Sequence, residues 1–363
     1  LREKMKTMYG ETFSLKQFGV EEPKEHDDFL TRYIEIVKAN ISNPELDVSV
    51  IYEALGMSRT NFYRKVKTVT GLSPIELIKN IRLEAGAKLL KDALADTKEA
   101  GLLAAKAIMT TDTVPKEAAA SFEVDGVTVT VGGMSKGSGM IHPNMATMLS
   151  VTTTDAKISH DLLQEMVSEI VSDSFNMISV DRDTSTNDTY LVLANGESGV
   201  EIKAGTNRYV KFKEALSFVA TDLAKQMAAD GEGATRLMEV RAVHCKNKEE
   251  AKIFSKSVVT SNLVKAMLFG KDANWGRVLC ALGYSGADFD PDVIDLILEA
   301  EDEQIVLVKD GVPTDYSEDE ATILLGKDAV TFICDMKQGD VSATAWGCDL
   351  TYDYVKINGD YRS

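Results

Sequence analysis

The chain has 363 residues, 44% hydrophobic and 27% charged, and carries a formal net charge of −17. This is the composition of a globular protein with room for two or three domains, and no apolar run nears the roughly 18 residues that span a bilayer. The charge is uneven: 14 of 40 Lys and Arg and 13 of 57 Asp and Glu fall in the first 90 residues, so the remainder holds 26 basic against 44 acidic residues and should repel nucleic acid as a body.

Residues 1–27 open on Leu1, as a piece cut from something longer would, show no signal peptide and read as a polar linker. Asp28 is placed to cap a helix with Phe29, Ile34 and Val37 on one face. Val48 to Leu55 reads as a short helix, Gly56 as a turn, and Ser58 as the cap of a basic helix running to Val69. Short helix, glycine turn and basic helix form the helix-turn-helix pattern, although a plain three-helix bundle fits the same residues. Ser73 and Pro74 open a longer helix, "SPIELIKNIRLEAGAKLL". The run "ALGMSRTNFYRKVKTVTGLSPIELIKNIRLEAGAKLL" resembles the first half of the DNA-binding module of the AraC family of transcription regulators. That resemblance, over residues 28–90, implies Ser58, Arg59, Asn61, Arg64 and Lys65 on or near a recognition helix, with DNA as a partner through residues 47–70. The family's second helix-turn-helix has no counterpart here.

The pattern changes between about Leu90 and Asp96. "SFEVDGVTVTV" alternates as a hairpin around Asp125-Gly126. "SHDLLQEMVSEIVSDSF" reads as a helix with Leu162, Leu163, Met166 and Ile170 on one face, and "TYLVLANG" as a strand. Phe212 to Ala229 and Lys248 to Leu268 read as amphipathic helices; "LMEVRAVHC", "EQIVLVKDG", "AVTFICDM" and "CDLTYDYVKI" read as strands. Such alternation predicts an α/β or α+β sandwich. Trp275 and Trp346 are expected as core anchors. The run "DTSTND", 183–188, fits either a turn network buttressing Thr147 or a plain loop. Cys245, Cys280, Cys334 and Cys348 form no CxxC, and His26, His142, His160 and His244 stand at no metal-ligand spacing. No metal, reduced thiols and a cytoplasmic location are therefore expected.

In "GMSKGSGMIHPNMATMLSVTTTD", Thr147 follows Ala146 at the entrance to an apolar strand. A threonine hydroxyl is a poor nucleophile without a base beside it. A threonine at a chain terminus has one in its own α-amino group, whose pKa is about 7.7–8 when unperturbed. The hydroxyl can reach that state by attacking the preceding carbonyl, giving an ester that water cleaves. Ala146 leaves that carbonyl unshielded, Gly137 and Gly139 permit unusual backbone, and Pro143 stiffens the approach. Residue spacing alone fits a threonine that merely starts a strand.

Further blocks occur in a fixed order: "AIMTTDTVPKEAA", "GGMSKGSGMIHPNMATML", "SVDRDTSTNDT", "DGEGATRLMEV", "DANWGRVLCALGYSG" and "SATAWGCDLTYDYVKINGDYRS". Together they resemble the ArgJ family of ornithine acetyltransferases (glutamate N-acetyltransferases) over about residues 91–363. The resemblance implies a layered α-β-β-α sandwich of the ArgJ/DmpA-like type, with the helix-turn-helix segment as a small all-α domain before it. It implies self-cleavage between Ala146 and Thr147, with Thr147 then carrying acetyl from N-acetylornithine to glutamate and releasing ornithine. Thr110, Lys136, Thr147, Glu232, Asn358 and Ser363 fall on the family's substrate-binding positions. Lys136 supplies a point charge for a carboxylate, and Glu232 a partner for an amine. Paired heterodimers after cleavage are implied; no cofactor is, and acetyl-CoA stays open as an acetyl donor. Two departures stand out. The family's upstream Thr-Gly pair, in a block of the form STGVIG, supplies its oxyanion hole and has no counterpart in these residues. Arg182 stands where glycine is expected.

Overall fold

In the computed structural model, the described residues are 28–41, 46–78, 81, 98–143, 148–184 and 188–360. The linker expected over 1–27 and the boundary expected near residue 90 lie outside them. The chain divides into two compact units between Ile108 and Met109.

In the first unit, α1 (Asp28–Ala39) buries Leu30, Tyr33 and Val37, the 3–4 spacing of one helical face. The short α2 (Val48–Ala54) is capped by Asp47, whose carboxylate accepts from Ser49 N. After the left-handed Gly56, α3 (Arg59–Thr70) buries Phe62, Val66 and Thr70 and ends at Gly71, also left-handed. Phe62 is the hub: Tyr33 stacks on it at 5.8 Å and Phe29 meets it edge-on at 6.3 Å. Ser73 and Glu76 form a reciprocal capping box, each side chain accepting from the other's amide. Leu77, Ile78 and Ile81 join this core. A further helix, α4 (Lys98–Ile108), completes the unit's described residues.

The second unit opens with the expected hairpin. Strands β1 (Lys116–Val124) and β2 (Val127–Lys136) are joined at Asp125-Gly126, both at positive φ as a two-residue primed turn needs. β2 pairs antiparallel with β3 (Leu149–Thr154), placing Lys136 opposite Leu149. The chain then forms α5 (His160–Asp173), the short β4 (Ile178–Ser179) and β5 (Thr189–Ala194), which pairs parallel with β3. The four-stranded sheet runs β1-β2-β3-β5. Next come α6 (Asn207–Ala229), β6 (Leu237–Cys245), α7 (Lys248–Val259), α8 (Asn262–Gly270) and α9 (Trp275–Gly283). They are followed by β7 (Asp295–Ala300), β8 (Glu303–Lys309), β9 (Val312–Pro313), α10 (Glu318–Leu325), β10 (Ala329–Asp335), β11 (Val341–Cys348) and α11 (Tyr352–Asp360). The seven-stranded sheet runs β4-β11-β6-β10-β7-β8-β9.

Helix α6 lies between the sheets, touching β1 and β2 of one and β4, β6 and β11 of the other, with α5 beside it. α7 takes the far face of the larger sheet. Trp346 turns toward α6, where the Lys225 ammonium lies over its ring at 5.3 Å, while a Cβ on the next residue, Gly347, would meet Val259 of α7 at 2.9 Å. The layers are thus sheet, helix, sheet, helix, not the expected α-β-β-α order in which the two sheets stack directly. From Leu216 to Ala228, α6 buries apolar residues toward both sheets.

Three element readings differ from the sequence pattern. The run Lys248 to Leu268 is two helices, because the Thr260 hydroxyl donates to Lys256 O at 2.7 Å and Ser261 caps the next helix. "CDLTYDYVKI" is the end of β11 followed by α11. The Asp349 carboxylate accepts from the amides of Thr235 (2.8 Å) and Arg236 (3.2 Å), and Thr351 Oγ1 accepts from Tyr354 N. Those side-chain bonds override the strand propensity of the tyrosines and valine. β7 had no clear signal, its apolar run "DLILEA" being too short for periodicity to tell strand from helix.

Truncating α6 at its fully buried Leu216 should loosen both sheets at once. Leu216→Ala is expected to cost about 2–5 kcal/mol in the urea unfolding transition of the second unit, followed by circular dichroism, with little change in the first.

Candidate active site

Ahead of β1, the "MTTDTVPK" segment is folded around one carboxylate. Asp112 Oδ2 accepts from Thr110 N at 3.0 Å. Its Oδ1 accepts from Gly137 N and from the Lys116 ammonium, both at 2.7 Å. Lys116 is fully buried and also donates to Asp230 Oδ2 at 2.5 Å and to Val114 O at 3.1 Å. Asp230, the C-cap of α6, accepts from Thr113 N at 3.0 Å and from the Thr113 hydroxyl. Lys136, the last residue of β2, donates from Nζ to Thr110 Oγ1 at 3.0 Å. Burial lowers the Lys136 pKa; Asp112, Asp188 and Glu232 pull it back up, while Lys116 lowers it further.

Glu232 reaches this place from the turn after α6. Its amide donates to Ser138 O at 3.1 Å, and its carboxylate accepts from Asn358 Nδ2 of α11 at 2.9 Å. The same carboxylate lies against Gly139, where an added Cβ would come within 2.3 Å of Glu232 Cδ. Gly233 takes φ +68 beneath the start of α11, where a Cβ would fall 2.5 Å from Tyr354 N. Thr110, Lys136, Glu232 and Asn358 are thus linked through two hydrogen bonds and the Lys136–Glu232 charge interaction. Ala146, Thr147 and Ser363 lie outside the described residues. The described chain resumes at Met148, whose carbonyl accepts from Thr189 N at 2.8 Å.

The backbone leading toward that point is strained and clamped. Ser138 (φ 115) and Met140 (φ 55) are non-glycine residues in the left-handed half of the map. The Asp181 carboxylate accepts from Met140 N at 2.7 Å and Ile141 N at 3.0 Å, one oxygen for each. Ser138 Oγ donates to Thr111 O at 3.1 Å, and Val180 N to Ile141 O at 2.6 Å. His142 Nδ1 lies 3.0 Å from Ser179 Oγ, and the His142 carbonyl accepts from Thr184 Oγ1 at 2.9 Å. The described part of "DTSTND" therefore buttresses the loop; residues 185–187 lie outside the described set. Burial and the Lys256 and Arg182 charges, opposed by Asp183, push the His142 pKa down to about 4, leaving the ring neutral at pH 7. Arg182 stands at φ 71, a conformation for which glycine is the ordinary choice.

Asp112, Lys116, Asp230 and Asp181 were not singled out in the sequence. Their signal lay within the quoted blocks, but a carboxylate beside hydroxyls in a loop does not show what it binds. Trp346 is buried, its Nε1 donating to Glu239 Oε2 at 2.6 Å, and the half-buried Trp275 opens α9. In the first unit, Ser58, Arg59, Asn61, Arg64 and Lys65 are all exposed on the first turns of α3. Arg59 lies over the Tyr63 ring, Lys65 lies 4.3 Å from the Phe29 centroid, and Arg64 donates to Asn61 Oδ1. The four cysteines are free thiols. Among the described residues, no three His, Cys, Asp or Glu side chains gather to hold a metal ion, and no helix is long and apolar enough to cross a membrane.

Residues 66–363 match the ArgJ family, a span that starts inside α3, ahead of the expected Lys91. The chain is 53% identical over 283 residues to the arginine biosynthesis bifunctional protein ArgJ of Symbiobacterium thermophilum, covering 78% of this chain and 69% of that protein. It is 52% identical over 258 residues to ArgJ 1 of Clostridium acetobutylicum (71% and 63%), and 50% identical over 266 residues to the glutamate N-acetyltransferase of Methanocaldococcus jannaschii (72% and 65%). It thus spans about two thirds of the length of these curated relatives. The crystal structure of the ArgJ protein of Bacillus halodurans superposes with a TM-score of 0.57 at 45% identity, covering 59% of this chain and all of that one. With a family match over residues 66–363 and relatives at half identity or better, this chain belongs to the ArgJ family.

Proposed function

We propose that the second unit carries acetyl from N-acetylornithine to glutamate through an ester on Thr147. The observation that supports this best is the placement of Lys136. Its half-buried ammonium, bonded to Thr110, stands at the end of β2 directly opposite Leu149, two residues beyond Thr147, with the Glu232–Asn358 pair in charge range. A cation for the α-carboxylate and an anion for the side-chain amine suit ornithine at both ends.

In this reading Thr147 Oγ attacks the Ala146 carbonyl and water cleaves the resulting ester, leaving Thr147 with a free α-amine. That amine takes the Oγ proton as Oγ attacks the acetyl carbonyl of N-acetylornithine. The proton passes to the departing amine, and ornithine leaves. The amine of glutamate then attacks the acetyl-threonine ester, and the Oγ–acyl bond breaks. Ser363 completes the substrate contacts, and cleaved chains associate as paired heterodimers. The free thiols suit a cytoplasmic enzyme.

A second reading concerns the first unit alone. Exposed basic residues on a helix behind a glycine turn favour a DNA contact through α3. Two of those cations already cover aromatic rings, and half of a two-part module makes few phosphate contacts. A salt-titrated gel shift should show weak binding that steepens with dilution of salt; nanomolar, sequence-specific binding at physiological salt would show that this unit is a reader in its own right.

Lys136→Ala and Glu232→Ala should each weaken ornithine binding by roughly 1.5–3 kcal/mol in calorimetry, with unfolding midpoints little changed. Equal affinity in parent and variants would remove the site assignment.

These residues hold no counterpart of the Thr-Gly oxyanion pair, and losing one such donor costs about a hundredfold or more in rate. The purified chain is therefore expected to stay largely whole between Ala146 and Thr147 and to transfer acetyl slowly, since only its cleaved fraction carries the free α-amine that the transfer uses. Intact mass decides this beside a Thr147→Ala control: a parent that runs as 1–146 and 147–363 beside a whole control would show that the donors lie elsewhere.

A further inference from the structure

We infer that Asp112 is a positioning residue for substrate-carboxylate recognition, setting the direction of the Lys136 ammonium from both sides. The inference rests on the proposed substrate reading and goes beyond it by adding a residue that touches no substrate. Lys136 is held at two points. Its ammonium is bonded to Thr110 Oγ1, and its backbone runs on into Gly137. Asp112 fixes both: Oδ2 takes the amide of Thr110 and Oδ1 takes the amide of Gly137. One carboxylate thereby ties the segment that supplies the hydroxyl to the strand end that supplies the cation.

Asp112 does this without drawing Lys136 into an ion pair. Its acceptor sites are taken by two amides, the Thr110 hydroxyl and the Lys116 ammonium, and the Lys136 ammonium donates to Thr110 instead. An ammonium has three N–H donors, so beside the Thr110 bond Lys136 keeps the capacity to bind a ligand carboxylate. The buried Lys116 makes the arrangement tenable, because a carboxylate with no side-chain exposure is costly to bury without a paired cation. Asp230 shares Lys116 but accepts its other hydrogen bonds from Thr113 and the Val114 amide, not from Thr110 or Gly137. It serves the same ion cluster without guiding Lys136, which separates a positioning role from a merely structural one.

The test compares ornithine with 1,4-diaminobutane, which keeps both amines and lacks the carboxylate, by calorimetry on the full chain. The parent is expected to prefer ornithine. Asp112→Asn should cut that preference by about tenfold or more, because the amide group of Asn turns a donor toward Thr110 N or Gly137 N, while affinity for 1,4-diaminobutane holds. Asp230→Asn should lower the unfolding midpoint and leave the preference intact. If Asp112→Asn does not fold, Asp112→Glu, which keeps a charge for Lys116 but moves the carboxylate by one methylene from both amides, should show the same loss of preference. An unchanged preference in whichever Asp112 variant folds, failure of both to fold, or an equal loss in Asp230→Asn, overturns the positioning role while the substrate reading stands. A parent that binds both ligands equally overturns it as well, since no carboxylate is then being read. A parent that binds no ornithine removes the substrate reading itself and the inference with it.

Discussion

The second unit is organised around a buried ammonium between two carboxylates. Lys116 joins Asp112, ahead of β1, to Asp230, at the end of α6. Desolvating three charges is expensive, and removing one partner of such a group costs about 3–5 kcal/mol because the others are stranded. The cluster is therefore a poor device for stability alone. What it provides is registration: the "TTDT" segment, the end of β2 and the C-cap of α6 are each bonded to a member of it. These are the segments that present Thr110 and Lys136, and the turn leading on to Glu232.

The position of α6 explains why the site forms at this end of the layers. A helix packed between two sheets must end where both can be reached, and its end, "DGEGAT", leads from the small sheet to the large one. Glycine at 233 lets α11 start directly over that turn, and glycine at 139 leaves space for the Glu232 carboxylate. Both replace side-chain volume with a close backbone approach, which is how two loops and a helix converge on so small a region.

Much of this was readable in advance. The Asp-Gly hairpin and the capping box at Ser73 follow the residue pattern, and Ser58 stands at the start of its helix without a side-chain bond to it. Thr110, Lys136, Glu232 and Asn358, four of the six residues the resemblance names, lie together. What escaped had identifiable causes. The helix at Tyr352–Asp360 carries strand-formers, and only Thr351 and Asp349, bonded to residues more than a hundred positions away, decide its form. The break at Thr260 depends on which way one hydroxyl turns. The layer order could not be read at all, because an amphipathic pattern shows that a helix is covered and not by what. Asp112 and Lys116 looked like ordinary polar residues of a loop and a strand, since nothing local distinguishes a buried ion pair from a solvated one. Arg182 was flagged by resemblance, and its left-handed backbone supplies the physical reason why glycine is expected there.

The antiparallel ladder from β2 to β3 has a consequence for molecularity. Its two strands stand on opposite sides of the Ala146–Thr147 bond, and they pair from Val131–Thr154 to Lys136–Leu149. Asp112 and Lys116 precede the bond, and Asp230 follows it. In an unbroken chain all of these are contacts within one polymer, and folding is first order. Were that one peptide bond absent, the same ladder and the same buried ions would become an interface between two polypeptides sharing a single sheet. Neither would own a complete hydrophobic layer, so separated pieces could regain the structure only by meeting, at a rate that depends on their concentration.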